Sequence, residues 1–245
     1  MNLVVDVGNS LIKVSIFDNE DLIEHKVFDD ENIPDLENFC SSGSVDNAIM
    51  SSVREEKVID LSKIKGIKKL INFSYNTPTP LSVNYDTPET LGTDRIAAAV
   101  GGSSLFPGDN VLTIIAGTCI TYEFSDKNNE YCGGAISPGM MMRFKALNNF
   151  TAKLPLISKS NLKLPELLTA KNTVDSILSG VINGIVYEID GVIAEYIKKY
   201  ASLKIVLSGG DAFYFDKMLK NKIFVTQNLV SYGLNKILIY NVQKH

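Results

Sequence analysis

A short segment near the start of the chain, residues 6–13, combines residue types that could bind a phosphate group. It reads DVGNSLIK, an apolar strand followed by a polar bend and a second strand. Such a bend points the backbone N–H groups of residues 8–10 into one concavity, a common way to bind phosphate oxygens. Lys13 could reach a terminal phosphate, and Asp6, a carboxylate within an apolar strand, would be justified by a bound Mg²⁺. An ordinary polar turn beside a hydrogen-bonded aspartate explains the same residues, so this segment alone leaves both interpretations open.

A second segment of the same design occurs in the other half of the chain. Residues 116–121 read AGTCIT, and Gly117 aligns with Gly8 when the flanking apolar runs are superimposed. Two such hairpins, one opening each half, suggest an internal duplication, although chance similarity is the alternative because β-hairpins are common. The chain contains no GxxxxGK[ST] motif, no GxGxxG after a strand and no HRD kinase loop. These absences disfavour a P-loop or Rossmann protein.

The elements that would position these hairpins are those of an α/β fold. In the first half, residues 47–53 and 69–74 form short β-like runs, and residues 93–106 have helical character. In the second half, apolar residues recur at helical spacing over residues 174–197. This pattern predicts a long buried helix, and Thr173 is suited to be its N-cap.

The boundary between the halves is predicted where turn residues cluster. Pro and Gly occur together in residues 106–110, and no low-complexity linker follows them. We therefore predict two domains, residues 1–107 and residues 108–245, that pack with a cleft between them. A Gly-Gly turn at residues 209–210 precedes a further predicted helix in the second domain.

The composition excludes several classes of protein. Of the 245 residues, 45 % are apolar and 21 % are charged, as in ordinary globular proteins. The formal net charge of −4, without a basic block, argues against nucleic acid or an anionic membrane as a partner. Three cysteines without a CxxC pair and only two histidines indicate neither a disulfide framework nor a zinc site. The N-terminus does not resemble a signal peptide and no apolar run approaches about 18 residues, so we expect a cytoplasmic protein.

Five motifs occur in an order that resembles the type III pantothenate kinases. They are DVGNS at residues 6–10, GTDRIAAAVGG at 92–102, AGTCITYEF at 116–124, GGAISPG at 133–139 and KNTVDSILSG at 171–180. The paired hairpins and the Gly-Gly turn also resemble the wider actin/hexokinase-like ATP-binding superfamily. The resemblance implies two duplicated ribonuclease-H-like α/β domains, the actin-like ATPase fold. It also implies a homodimeric kinase that uses ATP and Mg²⁺ to phosphorylate pantothenate to 4′-phosphopantothenate, the first step of coenzyme A biosynthesis.

The resemblance also implies roles for individual residues. Asp94, in the GTDR motif, stands where the family has the proton acceptor for the substrate hydroxyl. A carboxylate suits this task because phosphoryl transfer needs orientation of the hydroxyl more than a strong base. The implied pantothenate contacts are Tyr85, Gly92, Thr93, Asp94, Arg95 and Thr173, the last from the other subunit. The implied ATP contacts are Asp6, Val7, Gly8, Asn9, Ser10, Leu11, Ile12, Lys13 and Thr118, with Asp6 also the candidate Mg²⁺ ligand.

One position departs from the family pattern. Many members carry an aspartate two residues before the glycine of the second hairpin, where this chain has Ile115. The resemblance associates that aspartate with a monovalent cation, K⁺ or NH₄⁺, at the active site. An isoleucine side chain has no ligand atom, so we expect no cation at this position and regard a monovalent requirement as doubtful for this chain.

Other interpretations remain open from the sequence alone. The chain could be a non-catalytic nucleotide-binding regulatory protein of the same fold, or a kinase for a different small hydroxylated substrate. Asp94 could be a simple first-turn helix residue, Arg95 a surface arginine, Tyr85 a loop tyrosine and Thr173 only a helix cap. Replacing Asp94 by asparagine separates these views, because only a kinase should lose turnover while keeping its ligands bound.

Overall fold

A computed structural model describes residues 1–29, 32–42, 44–54, 58–165 and 167–244. Contacts divide the chain into two compact units. The first unit comprises residues 1–109, 123–133 and 228–245, and the second unit comprises residues 110–122 and 134–227. This division differs from a single boundary after residue 107, because the C-terminal segment and part of the second hairpin group with the first unit. The boundary between two duplicated domains therefore stays a prediction.

The first unit is built on a five-stranded mixed sheet with the order β3-β2-β1-β4-β5. Its strands are β1 (Asn2–Val7), β2 (Ile12–Asp18), β3 (Asp21–Phe28), β4 (Asn47–Ser52) and β5 (Lys69–Asn72). The central strand β1 is buried at every residue, runs antiparallel to β2 and runs parallel to β4. Because β1 is covered on both faces, it reads after Asn2 as an apolar run that Asp6 interrupts.

Three helices accompany the first sheet. They are α1 (Ile33–Ser42), α2 (Thr93–Leu105) and the C-terminal α6 (Leu229–Gln243). Helix α6 approaches α2 so closely that a Cβ atom at Gly233 would overlap the carbonyl oxygen of Ala97. This close approach explains why the end of the chain returns to the first unit, which local sequence patterns do not reveal.

The second sheet has the strand order β11-β10-β7-β8-β9, and β6 pairs with the first residues of β9. The strands are β6 (Ser82–Val83), β7 (Asn110–Ala116), β8 (Cys119–Ser125), β9 (Glu130–Pro138), β10 (Leu203–Ser208) and β11 (Phe224–Val225). Strand β7 lies between the hairpin strand β8 and the parallel strand β10, as β1 lies between β2 and β4. The repeated arrangement confirms the predicted duplication and the two-domain α/β fold class.

The remaining helices are α3 (Met140–Asn149), α4 (Thr173–Lys199) and α5 (Ala212–Phe215). Helix α4 confirms the long apolar helix, but its N-cap is Asn172 and not Thr173. The Asn172 side-chain oxygen accepts a hydrogen bond of 2.9 Å from the Asp175 backbone N–H, the bond that defines an N-cap. Among the described residues α4 alone has the length and hydropathy of a membrane span, and half of that window is buried, as in a core helix.

Candidate active site

Asp6 and Lys13 face each other beside the turn of the first hairpin. They are directly opposite in the β1–β2 register, and the Lys13 Nζ atom lies 3.9 Å from Asp6 Oδ2. Only 5 % of Asp6 is exposed, and its Oδ1 atom has no hydrogen-bond partner among the described residues. Burial raises the pKa of Asp6 to about 6, with Lys13 opposing the rise and Asp94 adding to it. A buried carboxylate with a free oxygen is suited to a cation.

Asp6 fits a magnesium ion whose other ligands come from water and the substrate. No group of three acidic, histidine or cysteine side chains that could enclose a metal occurs in the part of the chain that the structure describes. Mg²⁺ is commonly held by one or two carboxylates together with water and substrate phosphates, and Asp6 meets that requirement. Asp6 is therefore the residue that would hold this ion.

The bend of the first hairpin offers fewer phosphate donors than its sequence predicts. The Gly8 N–H donates to the Leu11 carbonyl at 3.0 Å, which closes the turn and removes this donor from those available to a phosphate. Asn9 and Ser10 are exposed, while the side chains of Val7 and Ile12 are buried in the first core. Arg54 donates from Nε to the Gly8 carbonyl at 2.7 Å, which holds the turn from the side.

The glycine N–H of the second hairpin is also used within its own turn, by a bond to the residue two positions on. The Gly117 N–H donates to the Cys119 carbonyl at 2.9 Å, and Thr118 at the tip is exposed. The Gly139 N–H donates to the Thr118 carbonyl at 3.1 Å, and a Cβ atom at Gly139 would overlap the Gly117 carbonyl oxygen. The last glycine of the GGAISPG motif therefore shapes the hairpin, which leaves Thr118 and the backbone beside it as the exposed donors.

The beginning of α2 places Asp94 near Asp6. Ser51 is opposite Asp6 in the parallel β1–β4 register, and its hydroxyl is 2.8 Å from the hydroxyl of Thr93. Thr93 is the first residue of α2, so this bond brings the start of the helix to the end of β1. Asp94 lies close enough to raise the pKa of Asp6, and one of its oxygens accepts the Arg95 N–H at 2.9 Å. The structure thus brings together the two carboxylates that the sequence analysis selected.

Arg95 lies in a buried polar cluster, so the interpretation as a surface arginine is wrong. Only 8 % of Arg95 is exposed, and Glu123 is fully buried. Arg95 donates to both Glu123 oxygens, from Nε at 2.8 Å and from Nη2 at 3.0 Å, and the Tyr131 hydroxyl donates to Glu123 Oε2 at 2.7 Å. The Tyr85 ring lies beside the guanidinium, with its centroid 5.9 Å from Arg95 Cζ. Glu123 therefore leaves both Nη1 N–H groups and the second Nη2 N–H for Tyr85 and for a substrate oxygen.

Glu123 was missed as a site residue by sequence reasoning. The available signal was an acidic residue between Tyr122 and Phe124 in a strand that is otherwise uncharged. A buried carboxylate is costly unless it is paired, so such a residue predicts a cationic partner.

Asp211 is a second buried carboxylate that sequence reasoning did not select. It follows the Gly-Gly turn, and its backbone N–H donates to the Ala116 carbonyl at 3.0 Å at the base of the second hairpin. Burial raises its pKa, while Lys159, with Nζ 3.8 Å from Asp211 Oδ1, opposes that rise.

Thr173 lies in the second unit, whereas Tyr85, Gly92, Thr93, Asp94 and Arg95 all lie in the first unit. Thr173 is exposed at the first residue of α4. It lines a groove of about 990 Å³ between α3 and α4, together with apolar residues that include Met142, Phe150 and Ile177.

Comparisons with known proteins show the family and the fold of this chain. The family model for type III pantothenate kinase matches residues 2–195. The type III pantothenate kinase of Bacteroides fragilis is 43 % identical over 98 % of both chains, and that of Cytophaga hutchinsonii is 44 % identical over 99 % of this chain and all of its own. The crystal structure of a ROK hexokinase from Thermus thermophilus has a TM-score of 0.54 at 12 % identity, covering 99 % of both chains, which shows a common fold. The chain belongs to the type III pantothenate kinase family.

Proposed function

We propose that the protein transfers the terminal phosphoryl group of ATP to the 4′-hydroxyl of pantothenate, with Asp94 as the group that accepts the hydroxyl proton. The observation that carries the proposal is that Asp94 lies near the buried Asp6. The chain is also similar to type III pantothenate kinases over nearly its whole length. One Asp94 oxygen is bound by the Arg95 N–H. That bond orients the carboxylate and leaves its other oxygen for the substrate hydroxyl.

Asp94 needs only modest basicity for this role. In the loose transition state of phosphoryl transfer the hydroxyl loses its proton late, so the base mainly orients the attacking oxygen. A positioned carboxylate commonly contributes a factor of about 10² to 10⁴ to the rate. The hydrogen bond between the hydroxyls of Ser51 and Thr93 fixes the first turn of α2 and thereby supports this orientation.

The ATP contacts in this proposal are those that the family resemblance implies, in residues 6–13 and at Thr118. Asn9, Ser10 and Thr118 present exposed backbone and side-chain donors, and Lys13 supplies a positive charge. When bound, Mg²⁺ would neutralise phosphate charge, and Asp6 would hold it through the unpartnered Oδ1 atom. Because Ile115 has no ligand atom, a monovalent cation would need other ligands.

The substrate contacts are Tyr85, Gly92, Thr93 and Arg95, with Thr173 supplied by the second subunit of a cytoplasmic homodimer. Support for a dimer comes from the groove that Thr173 lines, where Phe150 is 88 % exposed and Met142 is also exposed. Solvent contact with such a surface is unfavourable, and a second copy of the chain would cover it. Gly180, on the same surface, has open space around its Cα atom and would permit close approach of another helix.

The experiment that tests the function is ATP-dependent phosphorylation of pantothenate by the purified protein with Mg²⁺, in K⁺ and in tetramethylammonium salts. Product in both salts supports the kinase without a monovalent requirement, and product only in K⁺ means that other ligands hold a cation. The variant Asp94→Asn should lower kcat by about 10² to 10⁴ while leaving the KM for ATP within about twofold. A wild-type protein that binds ATP but forms no product would favour the regulatory interpretation.

A further inference from the structure

Two predicted substrate contacts share one buried support. Glu123 holds Arg95 through both of its oxygens, and one of these oxygens also accepts the Tyr131 hydroxyl. Strand β9, which carries Tyr131, also anchors the loop that carries Tyr85. The Asn84 N–H donates to the Tyr131 carbonyl at 3.1 Å, and the rings of Tyr85 and Tyr131 are 6.3 Å apart between centroids. Glu123 therefore holds Arg95, Tyr131 holds the loop of Tyr85, and a hydrogen bond joins Glu123 to Tyr131.

The ion pair leaves the edge of the guanidinium that carries Nη1 for other partners. Glu123 engages Nε and Nη2, which together form one edge of the guanidinium plane, and Nη1 points away from that edge. Because the Arg95 guanidinium is held at two nitrogens, the position of Glu123 sets the direction of its remaining N–H bonds. The Tyr131 hydroxyl in turn limits the movement of that carboxylate.

A role in stability alone explains the Arg95–Glu123 ion pair less well than a role in positioning. A buried ion pair contributes little net stability because desolvation offsets the attraction, and apolar residues of similar volume often serve as well. Arg95 directly follows Asp94 in the chain, and its backbone N–H donates to the Asp94 carboxylate. A displacement of Arg95 would thus move the carboxylate that the proposed function places at the hydroxyl.

We propose that Glu123 and Tyr131 are positioning residues that align Arg95 and Tyr85 to bind pantothenate. The proposal rests on the proposed function and names the residues that set its substrate affinity. Neither residue needs to touch the substrate, since each acts through a neighbour with which it is in contact. The expected signature is weaker pantothenate binding with little change for ATP.

Steady-state kinetics on three variants tests this proposal. Tyr131→Phe keeps the ring and removes one hydrogen bond, and should raise the KM for pantothenate about threefold to tenfold. Glu123→Gln should raise the KM for pantothenate at least about tenfold. A neutral amide offers the guanidinium one acceptor oxygen and leaves Arg95 without its counter-charge. Glu123→Asp keeps the charge on a side chain that is one methylene shorter. Its KM for pantothenate should lie between those of the other two variants. In all three the KM for ATP should stay within about twofold of wild type.

The control is Asn235→Ala, at the opposite end of β1. Asn235 accepts a hydrogen bond from Asn2 at 2.9 Å and donates to the Asn19 carbonyl at 2.7 Å, so this variant also loses buried polar contacts. It should lower thermal stability and leave both KM values unchanged. If Glu123→Gln does not fold, Tyr131→Phe and Glu123→Asp carry the test.

The outcomes separate the positioning role from the proposed function. An active wild-type enzyme whose Glu123 and Tyr131 variants match Asn235→Ala in their KM values would overturn the positioning role alone. Equal increases in the KM values for ATP and pantothenate would also overturn it, since they would indicate a general structural defect. A wild-type protein without pantothenate kinase activity would overturn the proposed function together with this inference.

Discussion

Asp6 should destabilise the free protein at neutral pH, and its replacement by asparagine should reveal this. Burial raises the pKa of Asp6 from 3.8 to about 6 in the folded state. The folded protein therefore binds this proton more tightly than the unfolded chain does. Stability contributed by this group should fall as the pH rises from about 4 to about 6, and should stay at the lower level above that range.

The size of the effect follows from the shift. A difference of about two pKa units corresponds to about 3 kcal/mol, since one unit is worth about 1.4 kcal/mol. Asparagine has a similar shape and no charge, so Asp6→Asn should raise the free energy of unfolding at pH 7.5 by up to about this amount. For a chain of this length that is an increase in Tm of about 5–10 °C. Lys13 is partly exposed and stays solvated without its partner.

The assay is thermal unfolding of the wild type and Asp6→Asn, without nucleotide, at pH 4, 5, 6 and 7.5. The Tm advantage of the variant should be small at pH 4 and should grow to its full size by about pH 7. Addition of MgATP should then stabilise the wild type much more than the variant. An advantage that does not change with pH, or a variant less stable than the wild type at pH 7.5, would refute the reasoning.

Three further predictions concern the second unit. Gly139→Ala should raise the KM for ATP and lower Tm, because its Cβ would overlap the second hairpin, and an unchanged KM would contradict this. Phe150→Asp should shift the protein from dimer to monomer in size-exclusion chromatography with light scattering, whereas Phe213→Asp, at a side chain 66 % exposed outside the groove, should not. Asn172→Ala should cost about 1 kcal/mol of stability through the lost cap, while Thr173→Ala should leave Tm unchanged and raise the KM for pantothenate.

Local sequence was sufficient to predict the hairpins, the long helix and the family. A turn at Gly8 between apolar runs needs only short-range interactions, and so does the helical spacing over residues 174–197. Asp94 could be selected from the GTDR motif, since a motif preserves residue type and order. These features depend on backbone preferences and apolar periodicity, which the order of the residues carries directly.

Only the tertiary structure decided which polar groups are already engaged. The Gly8 N–H is used within its own turn, and Asn172 rather than Thr173 caps α4. The pairing of Arg95 with Glu123 joins residues 28 positions apart. Hydrogen-bond partners and burial depend on long-range packing, which a spacing pattern does not encode. The sequence by itself therefore determined the candidate residues and the family, whereas the three-dimensional fold decided which donors stay available and which carboxylates are buried.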